Sequence, residues 1–323
     1  MADEFWAIVK PLRQQCLQPD RRAVERTYSA ALNAARDVAH IQALFDHLRI
    51  AFLPWRHVFE LLRLEAKLEK LDVSSLERTI LGLRLRIAMR DYSGFLNRYS
   101  QHAYLGGLAH PAAWSRRFER LAEILSAPKF PDFSAPKIFG IGLSKSGTHS
   151  LNAALETLGL MSMHYSNEFS GLMLREEDAY ITDAMTDTPV CVIFEKLYHR
   201  FENAKFVYTT RPREAWLDSF ARHCRSAYGT EDFRLIRALP YRLSHHTYIG
   251  DFEMVDCMLY FRYRDVHEAF AAYDARVRHL FSDKPSARFL RLEIGDGNEW
   301  GRLAAFLNKE PPANPFPWEN KSS

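Results

Sequence analysis

Lys137-Ile138-Phe139-Gly140-Ile141-Gly142-Leu143-Ser144-Lys145-Ser146-Gly147-Thr148 decides the fold of this 323-residue chain. The apolar run from Lys137 to Leu143 has the length and composition of a buried strand, and a helical pattern follows over 148–159. Between them lies a turn containing Gly142, Lys145 and Gly147. A strand that feeds a helix through such a turn aims backbone N–H groups, and the positive end of the helix, at one point. That arrangement holds a phosphate. Its spacing excludes the nucleoside-triphosphatase version, which reads G-x-x-x-x-G-K-[ST]. Gly142 and Gly147 keep that spacing, but Thr148 stands in the lysine position and His149 in the magnesium-binding one. The lysine sits inside the loop instead, which argues against an ATPase or an ordinary kinase.

A second motif lies downstream. Lys205-Phe206-Val207-Tyr208-Thr209-Thr210 reads as another buried strand, ending in Arg211 and Pro212. A helix then opens at Arg213, and proline suits its start because the N–H it lacks would have no partner there. Ser219 follows Arg211 by eight residues, about two helical turns, so both side chains can converge on one anion. Further on, the pattern predicts a helix over 262–281, a strand over 288–294, a turn at 295–298 and a short helix over 300–307. Strands alternate with helices over 137–143, 148–159, 160–165, 190–202, 205–210 and 213–226. That order predicts an α/β fold with a parallel sheet and right-handed crossovers. Ligands bind beyond the carboxyl ends of such strands, where both motifs sit.

Lys145-Ser146-Gly147-Thr148, together with the Arg211 and Ser219 pair, resembles the bacterial-type sulfotransferase family from about Pro136 to Asn320. The resemblance implies a P-loop-type fold and a donor, 3′-phosphoadenosine 5′-phosphosulfate (PAPS), with no metal. It implies that Ser144, Lys145, Ser146, Gly147, Thr148 and His149 hold the 5′-phosphosulfate, and that Arg211 and Ser219 grip the 3′-phosphate. Lys145 would also assist the leaving phosphate. The family more often has aspartate or asparagine directly after the arginine, where this chain has Pro212. His149 stands where soluble animal members carry a hydroxyl residue; it either gives a further donor or faces solvent.

An acceptor hydroxyl must lose a proton, so a general base within hydrogen-bond reach is expected. The candidates are Asp187, then His164, then Asp183. Asp187 could equally be the N-cap of the following helix. His164 could be a partly buried histidine satisfied by backbone. Tyr228, Phe233, Tyr241, Tyr248, Phe252, Tyr260 and Phe261 either line an acceptor pocket or belong to the core.

Residues 1–126 read as an all-helical domain of unknown role. Segments run over 23–48, 55–71, a third opened by the Ser74-x-x-Glu77 capping box, and 112–125. Three prolines in 127–136 form a stiff linker, and 137–323 is the α/β domain. Hydrophobic residues make up 47% of the chain, enough for a sizeable core, and the four cysteines show no C-x-x-C spacing. No run approaches a membrane span, and the N-terminus lacks a secretory pattern, so a cytoplasmic protein is expected. A net charge of +3 does not imply nucleic acid. The expected function is therefore sulfuryl transfer to a small-molecule, carbohydrate or lipid acceptor, with the helical domain available to a protein partner. Two other classes stay open: a non-catalytic nucleotide-binding scaffold and an ATP-dependent phosphotransferase.

Overall fold

A computed structural model describes residues 2–10, 21–51, 57–71, 76–101, 112–238, 255–283 and 286–318. Two compact units divide them. Met1–Leu125 and the excursion Glu168–Leu172 form the first, and Ser126–Asn167 with the later described residues forms the second.

The first unit is helical: α1 (Ala2–Val9), α2 (Arg21–Ala34), α3 (Val38–Ala51), α4 (His57–Glu69), α5 (Leu76–Ala88), α6 (Tyr92–Gln101) and α7 (Ala112–Leu125). The apolar stripe over 23–48 is two helices, not one. Asp37 breaks it, because its carboxylate accepts the His40 N–H at 2.9 Å and so starts α3. Tyr28, Ala31, Leu44, Leu64, Leu81 and Leu85 pack into one core, and Tyr28 donates its hydroxyl to the Leu44 carbonyl at 3.1 Å. Ser74 lies outside the described residues. Helix α6 was not expected; Asp91 caps it by accepting the Gly94 N–H at 2.9 Å. Within this unit Arg84 donates to the Phe169 carbonyl at 3.2 Å, and Arg117 pairs with Glu168 at 2.9 Å.

The second unit is α/β. Its elements are β1 (Ile138–Gly140), α8 (Thr148–Thr157), β2 (Ser162–His164), β3 (Ala184–Thr186), α9 (Thr188–Arg200), β4 (Lys205–Thr210), α10 (Arg213–Tyr228), α11 (Phe233–Ala238), α12 (Val266–Phe281), β5 (Phe289–Glu293) and α13 (Glu299–Leu307). A π-helical turn at Cys257–Phe261 precedes α12. The helix expected over 262–281 therefore starts later, where Asp265 accepts the Glu268 N–H at 3.0 Å.

All five strands are parallel, in the order β2-β3-β1-β4-β5. From β1 the chain moves one way, to β2 and β3, then crosses to β4 and β5 on the other side. The carboxyl ends of β3, β1 and β4 therefore bound a topological switch point, where open α/β sheets bind ligands. Leu151, Ala154 and Leu155 of α8 are fully buried and pack on Ile138, Ala184 and Val207. Each buried leucine contributes about 1.5–3 kcal/mol, which fixes the start of α8 over the end of β1. Across the sheet, Phe206 packs against Phe281 and Tyr208 against Tyr273.

Candidate functional site

The turn after β1 is tied down from several elements. Ser146 donates its N–H to the Leu143 carbonyl at 3.1 Å and its hydroxyl to the same oxygen at 2.6 Å. Ser146 Oγ also lies 2.8 Å from Thr209 Oγ1 of β4. The Ser144 N–H donates to Tyr260 Oη at 3.0 Å, and Trp216 Nε1 donates to the Ser144 carbonyl at 2.9 Å. Below the turn, Tyr273 donates to the Ile141 carbonyl at 2.6 Å and Cys191 to the Gly142 carbonyl at 3.0 Å. Gly142 has no room for a side chain: a Cβ there would collide with Thr209 Oγ1. Gly147 sits at φ 96°, a left-handed conformation, and its added Cβ would come within 2.6 Å of Ile294.

These contacts sort the loop residues. Ser146, expected on the phosphate, has both its amide and its hydroxyl engaged inside the turn. The backbone of Ser144 is likewise engaged. Lys145 is left-handed at φ 68° and half-buried, and its ammonium makes no ion pair among the described residues. The first N–H groups of α8 have no intrahelical acceptor, so Gly147, Thr148 and His149 present donors at the mouth of the turn.

The second motif arrives from β4, the strand beside β1. Arg211 is half-buried, and its Nη1 donates to the Lys145 carbonyl at 3.3 Å. The second motif, far away in sequence, therefore lies directly beside the turn that carries Lys145. Ser219 is buried on the inner face of α10, three residues beyond the buried Trp216.

On the other side of β1, the end of β3 delivers Asp187. It occupies the N-cap position of α9, but its side chain makes no capping bond. Instead Oδ1 accepts the Thr148 hydroxyl at 3.3 Å, and Oδ2 lies 3.2 Å from His164 Nε2. That approach lacks the alignment of a hydrogen bond, and Nε2 is buried without another partner among the described residues. Asp187 has φ 87° and ψ −176°, a region occupied almost only by glycine. His164 Nδ1 lies 2.8 Å from Thr186 Oγ1, which is 3.4 Å from Asn152 Oδ1. His149 is exposed, and its ring centroid lies 3.8 Å from that of His164. Burial lowers the His164 pKa, Asp187 raises it, and His149 lowers it.

Asp183 sits elsewhere. It precedes β3, so it lies at the amino end of the sheet, where its Oδ2 accepts the Met161 N–H at 2.9 Å. Four steps of extended chain, about 13 Å, separate it from Asp187, so the two carboxylates stand at opposite ends of β3. Among the expected aromatics, Tyr260 holds the loop, while Tyr228, Phe233 and Phe261 pack together. Tyr241, Tyr248 and Phe252 lie outside the described residues. Tyr228 also donates to the buried Asp256 at 2.6 Å; burial raises that carboxyl to about 7.

Sequence reasoning missed Asn152, Thr186 and Trp216 beside the loop and Asp187, and weighed Tyr260 only as pocket lining or core. No local spacing marks them, because each acts through a contact formed only on folding. It also missed Thr210, whose buried hydroxyl at the tip of β4 has no hydrogen-bond partner among the described residues. A donor with phosphates at two ends fits this residue set: first-turn amides, a lysine with no ion pair among the described residues, an arginine against the loop and an unsatisfied hydroxyl. No group of three or more histidine, cysteine, aspartate or glutamate side chains suited to a metal occurs among the described residues. No helix among them is long and apolar enough to cross a membrane.

No curated protein matches the chain. A family model described as a sulfotransferase domain matches residues 137–323, more than half of the chain and all five strands. The chain belongs to the sulfotransferase family.

Proposed function

We propose that this protein transfers a sulfuryl group from PAPS to a hydroxyl or amine of a small-molecule, carbohydrate or lipid acceptor. The observation that carries the donor assignment is the Arg211–Lys145 contact at 3.3 Å. It joins two anion-handling motifs at adjacent strand ends, as a nucleotide with separate 5′ and 3′ charges requires.

Lys145, Gly147, Thr148 and His149 hold the 5′ end, with Ser144 at its margin and Ser146 keeping the turn closed. Arg211 and Ser219 hold the 3′ end. The donor, when bound, supplies the sulfuryl group and a phosphate leaving group. Lys145 places a cation and a proton donor where charge grows on the leaving oxygen, which is the electrostatic assistance such transfers need. Asp187 takes the acceptor proton, and His164 lies beside it. Thr148 links this base to the loop through its 3.3 Å contact with Asp187. Donor site and base are therefore held in fixed register, which supports in-line positioning. The strained backbone at Asp187 is typical of a residue held for function rather than for stability.

Thermal unfolding in adenosine 3′,5′-bisphosphate and in ATP with magnesium tests the donor. Ligand at a hundred times its Kd stabilises by about 2.7 kcal/mol. Protection by the bisphosphate supports the proposal, and protection by ATP alone refutes it. Transfer of radiolabelled sulfate from PAPS into a cell extract tests turnover. Bisphosphate binding with no transfer to any acceptor would favour the scaffold reading.

A further inference from the structure

We infer that Thr210 is a third polar contact for the 3′-phosphate of the donor, beside Arg211 and Ser219; this rests on the donor reading above. Thr210 ends β4 and is 6% exposed. Its Oγ1 has no hydrogen-bond partner among the described residues. Buried hydroxyls almost always have partners, and an exception calls for an explanation.

The direction of the side chain supplies one. Along β4, side chains alternate between the two faces of the sheet. Val207 and Thr209 share one face: Val207 packs with the residues of α8, and Thr209 bonds to Ser146. Phe206, Tyr208 and Thr210 lie on the other. That second face is covered by α12, because Tyr208 donates to Asp274 at 3.3 Å and packs against Tyr273.

Helix α10 approaches from the same side. Its Trp216 packs against Phe270 of α12 at 5.0 Å between ring centroids and bonds to Ser144 of the loop. Ser219 stands three residues from Trp216, on the same helical face. Thr210 and Ser219 therefore lie on the same side of the sheet, with Arg211 following Thr210 directly. A hydroxyl, a second hydroxyl and a guanidinium are a donor set suited to the several oxygens of a phosphate monoester. A small neutral residue would serve packing alone equally well. The hydroxyl is what needs a ligand.

The test is the melting temperature of wild type, Thr210→Val and Thr210→Ser, each alone, with adenosine 3′,5′-bisphosphate and with adenosine 5′-phosphate. Valine matches the shape and removes the unsatisfied hydroxyl, so the free Thr210→Val protein should melt no lower than wild type. It should nevertheless bind the bisphosphate about tenfold more weakly, the loss expected for one hydrogen bond to a charged group. Its affinity for the 5′-phosphate should not change, and Thr210→Ser should restore bisphosphate binding. Unchanged bisphosphate affinity in Thr210→Val would overturn the assignment, as would an equal loss for both nucleotides. If wild type is protected by neither nucleotide, the donor reading falls and this assignment falls with it.

Discussion

Replacing Asp187 by glycine and by alanine separates what its side chain does from what its backbone endures. Both substitutions delete the same contacts, to Thr148 at 3.3 Å and to His164 at 3.2 Å. They differ in how they tolerate φ 87° and ψ −176°. A residue with a Cβ is strained there by about 1–3 kcal/mol. Glycine is not, though its flexible unfolded state costs it roughly 0.5–1 kcal/mol. The net expectation is a glycine variant about 1–2 kcal/mol more stable than the alanine variant. In a unit of this size that is about 2–8 °C in Tm. Elsewhere in a folded chain the order is normally reversed, so the sign alone is informative. Both variants should lose sulfuryl transfer by about 10²–10⁴-fold, the usual worth of a general base. Calorimetry and a radiolabelled transfer assay read the two effects. An alanine variant as stable as the glycine variant would remove the strain argument. A glycine variant with full activity would remove Asp187 from the chemistry.

Four further outcomes follow from the same geometry. Lys145→Ala should abolish transfer while adenosine 3′,5′-bisphosphate still raises Tm, because the first-turn amides and Arg211 remain; loss of binding instead would give the lysine a purely binding role. Gly142→Ala should lower Tm and weaken nucleotide protection, since its methyl meets Thr209 in a packed turn and overpacking costs about 1–3 kcal/mol; an unperturbed variant would show that the turn is loose. His164 has a lowered pKa, mainly through burial, so the unfolded chain binds its proton first. Its contribution to stability is intact above the unfolded value of about 6.5 and declines as pH falls below it; His164→Asn should flatten that acid limb, and an unchanged limb would contradict the burial. Asp256 has the opposite sign. Burial raises its carboxyl to about 7, so its contribution is complete below the unfolded carboxylate range and is lost as pH rises through 7; Asp256→Asn should therefore gain Tm relative to wild type at pH 8 but not at pH 5.

The parallel sheet was legible because its central pieces carry strong local signals. Phe206–Thr210 is an uninterrupted β-branched and aromatic run after Lys205, and the strand spans Lys205–Thr210 as expected. The loop was legible because glycine, lysine and hydroxyl residues at fixed spacing have few other uses. Strand β3 was not expected, since Ala184-Met185-Thr186 is too short to show alternation and is recognisable only from its pairing with β1 and β2. The break between α2 and α3 was hidden by a continuous apolar stripe; one capping aspartate outweighed it. Within the site, sequence placed Asp187 and His164 among the candidates but left an N-cap role open for Asp187. In the fold Asp187 does stand at the N-cap position, but its carboxylate makes no capping bond and turns toward Thr148 and His164. The supports of His164, Thr186 on β3 and Asn152 on α8, come from two separate elements and have no shared motif to read.

A crystal structure of the protein with adenosine 3′,5′-bisphosphate puts the two-ended grip to its plainest trial. The 5′-phosphate should lie within hydrogen-bond reach of Lys145 and the amides that open α8, with the 3′-phosphate on Arg211 and Ser219. A nucleotide seated with only one phosphate on these residues, or bound away from the ends of β1 and β4, would contradict it.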